Sequence, residues 1–310
     1  MVKYILNRLI LILPILLGVI LITFILLELI PGSAVTVLMQ NKINNEAARR
    51  VEESYRLNDP VITRFLDYIG LLIRGNFGDS IIMKQSVTSI ILNALPKTIK
   101  LASFAIIFSW VFGIFVGVIS AVFKGSILDK LFMGISVFGI SMPTFSIGIL
   151  LQYLFAYKLK WLPISGANTW QHYVIPSIVL GWSMSGEIAR LLRANLITTL
   201  RSPFITTAKA KGANKYTQVV HHSLKISILP IITIMAVQLT SLLSGALITE
   251  NIFGIPGIGT LSISALTNRD TPLIQGIILL STTIIILGNL VADLIYAFID
   301  PRVYSEYEED

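Results

Sequence analysis

Residues 187–230 read EIARLLRANL ITTLRSPFIT TAKAKGANKY TQVVHHSLKI SILP and form the most basic short connection in the chain. The stretch separates two apolar spans and has helix-forming, amphipathic sequence. It carries a single acid, Glu187, against seven basic residues: Arg190, Arg193, Arg201, Lys209, Lys211, Lys215 and Lys225. Short loops rich in lysine and arginine are retained on the cytoplasmic side of a membrane. The stretch therefore predicts a cytoplasmic surface between two membrane spans.

The composition of the whole chain agrees with a membrane protein. Hydrophobic residues make up 54% of the 310 residues and charged residues only 13%, whereas a soluble domain has about 25% charged residues. A helix needs about 20 apolar residues to cross a bilayer core of about 30 Å. The fold class predicted is an all-α, polytopic membrane protein with six transmembrane helices, at Leu9–Ile30, Leu101–Phe123, Leu131–Tyr157, from Val174 to about Glu187, Ile226–Thr249 and Thr271–Ile299.

The distribution of charge predicts the orientation and the domains. Six spans place both termini on one side, and the short connections 124–130 and 187–225 on that side hold most of the basic charge of the short loops. The positive-inside rule then places both termini in the cytoplasm. We expect a first helix with an external loop subdomain over 1–97, a core over 98–302 whose cytoplasmic coupling loop is 187–227, and an acidic tail over 303–310.

Several kinds of chemistry are disfavoured by residues that the sequence lacks. The chain has no cysteine, which excludes disulfides and thiol catalysis. No glycine is followed by lysine, so the phosphate-binding loop of an ATPase is missing. The three histidines, His172, His221 and His222, lack the spacing of a zinc site. The net charge of +7 is explained by basic loops on a membrane protein without nucleic acid. No catalytic, cofactor or metal site is predicted, and the chain is not expected to be an enzyme.

Three features of the spans could be structural or functional. Gly113 and Gly117 have the small-xxx-small spacing that lets two helices approach closely. Met142-Pro143 predicts a bend in the third span, either in a pore lining or in a packing interface. The ionisable residues Glu28 and Asp293 lie near span ends, where interfacial solvation is a sufficient explanation.

Within the basic stretch, small residues precede a turn. Thr206, Thr207, Ala208 and Ala210 predict a small-residue helix that ends at Gly212. Small side chains leave room for a partner to enclose the helix, and lysines on the other face suit an acidic rim. The alternative is a basic helix that lies on the membrane surface, and the residues alone leave both interpretations open.

Seven segments in order resemble one family over nearly the whole chain. They are LIPG at 29–32, GNFGDS at 75–80, WLPISG at 161–166, IPSIVLG at 175–181, RLLRANL…PFITTAKAKG at 190–212, ENIFGIPGIG at 250–259 and NLVADLIYAFIDPRVY at 289–304. The sequence resembles the permease subunits of bacterial ABC importers of the dipeptide/oligopeptide/nickel family. The family usually has a charged residue at the position of Thr206 and an asparagine at that of Ile226, and the Ser33 position is commonly acidic.

The resemblance implies a type I importer permease fold and an ATP-driven, binding-protein-dependent function. It implies that the segment 203–216 couples to a cytoplasmic ATPase through the family's EAA-type motif, here Thr206, Thr207, Ala208, Lys209, Ala210, Lys211 and Gly212. Candidate pore or gate residues are Met142, Pro143, Glu250, Pro256, Gly257 and Asp293.

The same resemblance implies the partners and the location. We expect a second homologous permease, two ATP-binding subunits that bind ATP and Mg²⁺, an extracytoplasmic substrate-binding (lipo)protein and membrane lipid, in the bacterial inner membrane. The substrate implied is a di- or oligopeptide or a nickel-, cobalt- or zinc-type metal chelate. A secondary transporter driven by an ion gradient is the alternative, and it predicts inverted repeats and mid-span ionisable sites.

Overall fold

The structure, a computed structural model, describes residues 2–29, 35, 52–54, 59–243 and 246–299. These residues form helices and connections, and one isolated antiparallel bridge pairs Asp79 with Ser86. The all-α fold class predicted from the sequence is confirmed. The main helices are α1 (Val2–Leu29), α2 (Val61–Ile73), α3 (Val87–Val122), α4 (Ile127–Ser141), α5 (Thr144–Leu151), the π-helix π1 (Gln152–Lys158), α6 (Val174–Leu200), α7 (Pro203–Ala210), the π-helix π2 (Thr217–Leu224), α8 (Leu229–Leu243), α9 (Leu247–Ile252), α10 (Ile258–Thr267) and α11 (Thr271–Ile299).

Three helices among the described residues are long and apolar enough to cross a bilayer: Ile12–Leu29 in α1, Val87–Val122, which is α3, and Thr271–Val291 in α11. Two bent pairs could each form one further span: Ile127–Ser141 with Thr144–Lys158, bent by 108°, and Thr217–Ser227 with Leu229–Leu242, bent by 55°. α6 is 27 residues long but carries Glu187, Arg190 and Arg193. The six-span count is consistent with these helices and stays a prediction.

Packing divides the chain into two compact units, Met1–Thr98 with Pro256–Ile286 and Ile99–Ile255 with Leu287–Asp310. The domains predicted from the sequence follow chain order, whereas residues 256–286 join the first unit by packing. The acidic tail 303–310 and the LIPG residues 30–32 lie outside the described residues.

The first unit has a core built from three helices. α3, α10 and α11 supply its fully buried apolar residues Val87, Ile90, Ile91, Ala94, Ile258, Leu261, Ala265, Leu273, Ile274 and Ile277. α3 begins at Val87, well before the predicted span start at Leu101, and its first turns carry the α3 residues of this core. In a second cluster, Ile20 and Phe24 of α1 pack on Tyr68 of α2. The predicted interfacial acid Glu28 forms an ion pair with Arg64.

The predicted turn at 75–80 is confirmed, and a buried aspartate holds it. Gly75 and Gly78 have φ of 71° and 81°, a conformation that glycine adopts without strain. Asp270, 1% exposed, accepts a hydrogen bond from Ser80 Oγ at 2.5 Å and from the backbone N–H of Ile81 at 3.2 Å. The turn is thereby fixed to the residue that precedes α11.

In the second unit, α6 is the central helix, and glycines set its distance to its neighbours. A Cβ on Gly113 would lie 2.8 Å from Ile188 Cβ, and one on Gly117 would lie 3.0 Å from Leu192 Cβ. Real Cβ atoms scarcely approach so closely, so only glycine permits this contact between α3 and α6. The predicted close helix approach at the small-xxx-small pattern is confirmed.

The extent of α6 corrects the sequence interpretation of the basic stretch. The fourth span was expected to end near Glu187, but the helix continues to Leu200 without a break. Ile188, Leu192 and Leu196 are 0% exposed and recur at four-residue spacing, which keeps one apolar stripe buried along this half of the helix. Residues 187–200 are therefore helix, and the irregular connection begins at Arg201.

The bend predicted at Met142-Pro143 is present and sharp. Ser141 ends α4, Pro143 precedes α5, and the two helix directions differ by 108°. Proline has no N–H to donate to the helical hydrogen bonds, so it interrupts the helix. The neighbouring Met142 packs on the buried cluster around Tyr173 and Val179.

A glycine pair within α4 offers a stability prediction with an internal control. A Cβ on Gly139 would lie 2.5 Å from Trp182 Cδ1, whereas one on Gly134 meets nothing within 4 Å. We expect Gly139→Leu to lower the free energy of unfolding by about 1–3 kcal/mol, as overpacking does. Gly134→Leu should be neutral or slightly stabilising. Thermal unfolding of the purified protein in detergent measures both, and equal losses would contradict the packing described.

Candidate functional site

The predicted coupling segment forms a short helix between two abrupt ends. Only Arg201 and Ser202 separate α6 from α7, and Pro203 occupies the first helical position, where its missing N–H is not needed. At the other end Gly212 has φ of 86°. Its N–H donates to Lys209 O at 3.0 Å, and the N–H of Ala213 donates to Ala208 O at 3.1 Å. This pair of bonds is a Schellman motif, which confirms the turn predicted at Gly212.

The next helix starts immediately after this turn. Asn214 Oδ1 accepts the N–H of Thr217 at 2.8 Å and so satisfies a donor at the beginning of the following helix. Lys215 Nζ lies 5.7 Å from the ring centroid of Phe123, within the range of a cation–π contact. Both contacts fix the path of the chain on the far side of α7.

One side of α7 is exposed in the described part of the chain. Ile205 is 4% exposed and Ala208 is half-buried, so these two residues attach the helix. The exposed residues, named here the α7 surface, are Phe204, Thr206, Thr207, Lys209, Ala210, Lys211 and Gly212. Six of the seven predicted coupling residues thus lie on one exposed surface, and Ala208 supports it from below.

Phe204 was missed by sequence reasoning. Its side chain is 42% exposed, and it is the only large apolar group of the α7 surface. Aromatic residues are enriched at the buried centres of protein interfaces. An aromatic residue directly after Pro203 in an otherwise small, polar helix is the signal that could have identified it.

Apolar packing joins the segments on either side of α7. Ala121 of α3, Leu196 of α6 and Val219 of π2 form a buried apolar cluster. Ser227 Oγ donates to Thr199 Oγ1 at 3.0 Å, which links the residues after π2 to the end of α6. The two segments that flank α7 are therefore packed on and hydrogen-bonded to each other.

An ion pair that the sequence did not reveal joins α6 to α4. Arg193 of α6 donates to both carboxylate oxygens of Asp129, with Nε to Oδ1 and Nη2 to Oδ2 each at 2.7 Å. Asp129 also accepts the N–H of Gly125 at 2.8 Å, and its own N–H donates to Ser126 Oγ at 3.3 Å. Bidentate arginine–carboxylate pairs are strong and geometrically specific. The lone acid in the basic turn at 124–130 was the only sequence signal.

The candidate gate residues have different environments and are not shown to form one site. Met142 and Pro143 lie at the bend described above, and Glu250 of α9 is 0% exposed. Pro256 is exposed and Gly257 buried at the start of α10. The backbone of Asp293 belongs to α11, but its side chain lies outside the described residues.

Two of the family-like segments meet in the second unit. The N–H of Gly166, which ends WLPISG, donates to the carbonyl of Phe253 at 3.0 Å. A Cβ on Gly254, whose φ is 59°, would lie 3.2 Å from Ser165 Cβ. The two segments therefore lie close together at Gly254, where the positive φ favours glycine.

Comparison with known proteins identifies the family. The model of the binding-protein-dependent transport system inner membrane component matches residues 113–305, and the N-terminal model of the same membrane component matches residues 1–102. The chain belongs to this family.

Relatives of this permease are named for the transport of short peptides. The di/tripeptide transport system permease protein DppB of Pseudomonas aeruginosa (strain UCBPP-PA14) is 35% identical and covers 98% of this chain and 99% of its own length. The glutathione transport system permease protein GsiC of Salmonella typhimurium is 34% identical with the same coverage. These relatives are transport permeases and not enzymes, and the chain is a membrane-embedded ABC importer permease of the peptide/oligopeptide family.

Solved structures support the fold of the permease. Inward-facing MetNI, a methionine ABC transporter, aligns with a TM-score of 0.58 at 16% identity over 69% of this chain and 97% of that chain. An amino acid ABC transporter with histidines aligns with a TM-score of 0.51 at 17% identity over 69% of this chain and 94% of that chain. At such identity the likeness concerns the fold alone.

Proposed function

We propose that this permease forms half of a transmembrane pore for short peptides, and that a cytoplasmic ATP-binding subunit drives it by docking on the α7 surface. A second, homologous permease forms the other half, two ATP-binding subunits hold ATP and Mg²⁺, and an extracytoplasmic binding protein delivers the peptide. The orientation is the predicted one, with both termini in the cytoplasm.

The observation that carries this proposal is the α7 surface itself. It presents an exposed aromatic ring, small polar side chains and two lysines on a short helix that is attached through the buried Ile205. Such a surface suits a groove with an acidic rim. Docking can transmit energy only if the ATP-binding subunit contacts this helix differently in its two states, because a partner with equal affinity for both states shifts nothing.

The substrate class is supported by the relatives. Both relatives named above are permeases for di/tripeptides or for glutathione by name, which favours peptides over the metal chelates that the resemblance also implies. Membership of the ABC importer permeases also disfavours the alternative of an ion-gradient-driven secondary transporter.

Cross-linking tests the docking surface. The chain has no cysteine, so single cysteines can be introduced without removing native ones. In the assembled importer we expect Lys209→Cys to cross-link to the ATP-binding subunit and to change its cross-linking yield when ATP binds. Lys124→Cys is the control, since Lys124 is exposed in the short turn on the same predicted side. Equal cross-linking at both positions would contradict docking on α7.

Transport tests the overall function. In proteoliposomes with all subunits, we expect dialanine uptake to require ATP and the binding protein. Uptake that continues on a proton or sodium gradient without ATP would overturn the proposal.

A further inference from the structure

The exposed face of α6 carries a stripe of polar and small residues. Ser183 is half-buried, and Glu187, Arg190 and Ala194 are exposed. Their spacings of four, three and four residues place them on one side of a helix. Successive residues of a helix are rotated by about 100°. This rotation places the polar stripe on the side of α6 opposite to the buried apolar residues Ile188, Leu192 and Leu196, which include those that pack on α3.

Glu187 and Arg190 share a crevice. A space of about 270 Å³ is lined by Glu187, Arg190, Leu191 and Ala194 of α6 and by Ile234 of α8. Side chains three residues apart on a helix are neighbours, yet no ion pair joins this acid and this base in the described part of the chain. Two opposite charges thus face one crevice without a direct ion pair between them.

A buried glutamine holds the acid in position. Gln238 of α8 is 5% exposed, and its Nε2 donates to Glu187 Oε2 at 3.3 Å and to Met184 O at 3.1 Å. Ser109 of α3 donates to Gln238 Oε1 at 3.5 Å. The carboxylate is therefore oriented by a chain of polar contacts through three helices, whereas Arg190 has no hydrogen-bond partner among the described residues.

The position of Arg193 indicates how deep the polar stripe of α6 lies in the membrane. That residue pairs with Asp129 in the connection at 124–130, which the sequence predicts to lie at the cytoplasmic membrane surface. Glu187 is six residues earlier in the helix, and at a rise of 1.5 Å per residue it lies about 9 Å further into the bilayer. Ionisable residues at membrane depth face a bundle interior or a water-filled cavity rather than lipid. The stripe is therefore expected to face water.

We propose that Glu187 and Arg190 form a site for a zwitterionic ligand on the inner half of the translocation path. The ligand class is a short peptide with free ends, whose α-ammonium binds Glu187 and whose α-carboxylate binds the guanidinium of Arg190. Arginine is suited to this because its planar donors match a carboxylate in a bidentate manner. The crevice is near the lower end of ligand-site volumes, which start at about 300 Å³, so it suits a small ligand. The substrate class rests on the function proposed above.

Competition binding separates the two charges. The assembled importer without its binding protein is equilibrated with labelled dialanine and competed with dialanine, N-acetyl-dialanine or dialanine amide. We expect the wild type to prefer dialanine over each blocked peptide by about 10-fold or more, the size of a typical charged contact. Glu187→Gln should abolish discrimination against the acetylated peptide only, and Arg190→Gln discrimination against the amide only. Lys100→Gln, an exposed charge elsewhere in the same unit, should change neither.

The crossed pattern distinguishes ligand contact from a structural fault. A misfolded variant loses binding of all three peptides together. If dialanine does not bind the wild-type importer, if the wild type does not discriminate, or if each variant loses both preferences equally, the inference is wrong. ATP-dependent peptide uptake by the wild type is measured in the same preparation. If uptake occurs, the proposed transport function holds even when the binding site is disproved. If uptake is absent, the proposed transport function itself is overturned.

Thiol labelling tests whether the stripe faces water. We expect Ala194→Cys to react with a charged methanethiosulfonate reagent. Val111→Cys should not react, because Val111, although 66% exposed, lies in an apolar groove between α3 and the other side of α6. Equal reactivity at both positions would overturn the inference. A disulfide between two permeases at position 194 in place of labelling would assign the stripe to a subunit interface, and would overturn it as well.

Discussion

Replacing Gly212 with arginine is expected to abolish ATP-driven uptake while leaving the permease in the membrane. Gly212 ends α7 with φ of 86°, and a residue with a Cβ is strained there by about 1–2 kcal/mol. A Cβ at this position meets nothing within 4 Å, so the arginine would project from the α7 surface without a clash inside the chain. If the ATP-binding subunit docks on that surface, the new side chain obstructs it. Losing a coupling free energy of about 1–3 kcal/mol between ATP binding and the permease would reduce the effect of ATP on transport by about 5- to 150-fold.

The matched control for this variant is Gly125→Arg. Gly125 has φ of 82°, it also has open space around its missing Cβ, and it lies in a turn on the same predicted side. Both variants carry the same strain and the same added charge, so only docking distinguishes them. We expect normal membrane insertion for both and a loss of uptake and of peptide-stimulated ATP hydrolysis for Gly212→Arg alone. Full uptake by Gly212→Arg would remove the α7 surface from the mechanism.

Breaking the ion pair between Asp129 and Arg193 should have the largest effect on stability. The side chains are 5% and 28% exposed, and removing one partner of a buried pair typically costs about 3–5 kcal/mol. Because Arg193 is partly exposed, we expect Asp129→Asn to lower the free energy of unfolding by about 3 kcal/mol, the lower end of that range. Thermal unfolding in detergent measures the loss.

Two comparisons make this measurement specific. Glu28 and Arg64 form an ion pair whose side chains are 37% and 18% exposed, and Glu28→Gln should cost no more than about 1 kcal/mol, as for surface pairs. The double variant Asp129→Asn with Arg193→Met should be more stable than Asp129→Asn alone, because it leaves no unpaired charge. Equal losses for the two ion pairs, or no recovery in the double variant, would contradict the role given to Asp129.

Sequence patterns predicted those features that depend on neighbouring residues. The turn at Gly212, the turn at 75–80 and the bend at Pro143 follow from backbone rules of glycine and proline. The close approach at Gly113 and Gly117 follows from their spacing on one helix face. In each case the local sequence contains the physical cause.

Features that depend on distant partners were not predictable. Charges at Glu187, Arg190 and Arg193 suggested that the fourth span ends there, but Ile188 and the apolar residues after it bury their side chains and continue the helix. The pairing of Arg193 with Asp129 joins residues 64 positions apart, and no local pattern reports it. The exposure of Phe204 likewise depends on which side of α7 is buried, here that of Ile205, and the linear sequence does not show this.

The two connections of α7 differ in helical form. Toward the N-terminus only two residues separate it from α6, an unbroken α-helix of 27 residues that spans about 40 Å at 1.5 Å per residue. Toward the C-terminus it leads into π2, eight residues of π-helix, a rare form that is frequently found at functional sites. If a force on α7 tilted α6 as one body, a tilt of about 5° would displace the far end of α6 by about 3.5 Å, given that length. The π-helical connection on the other side of α7 would have to accommodate the same movement.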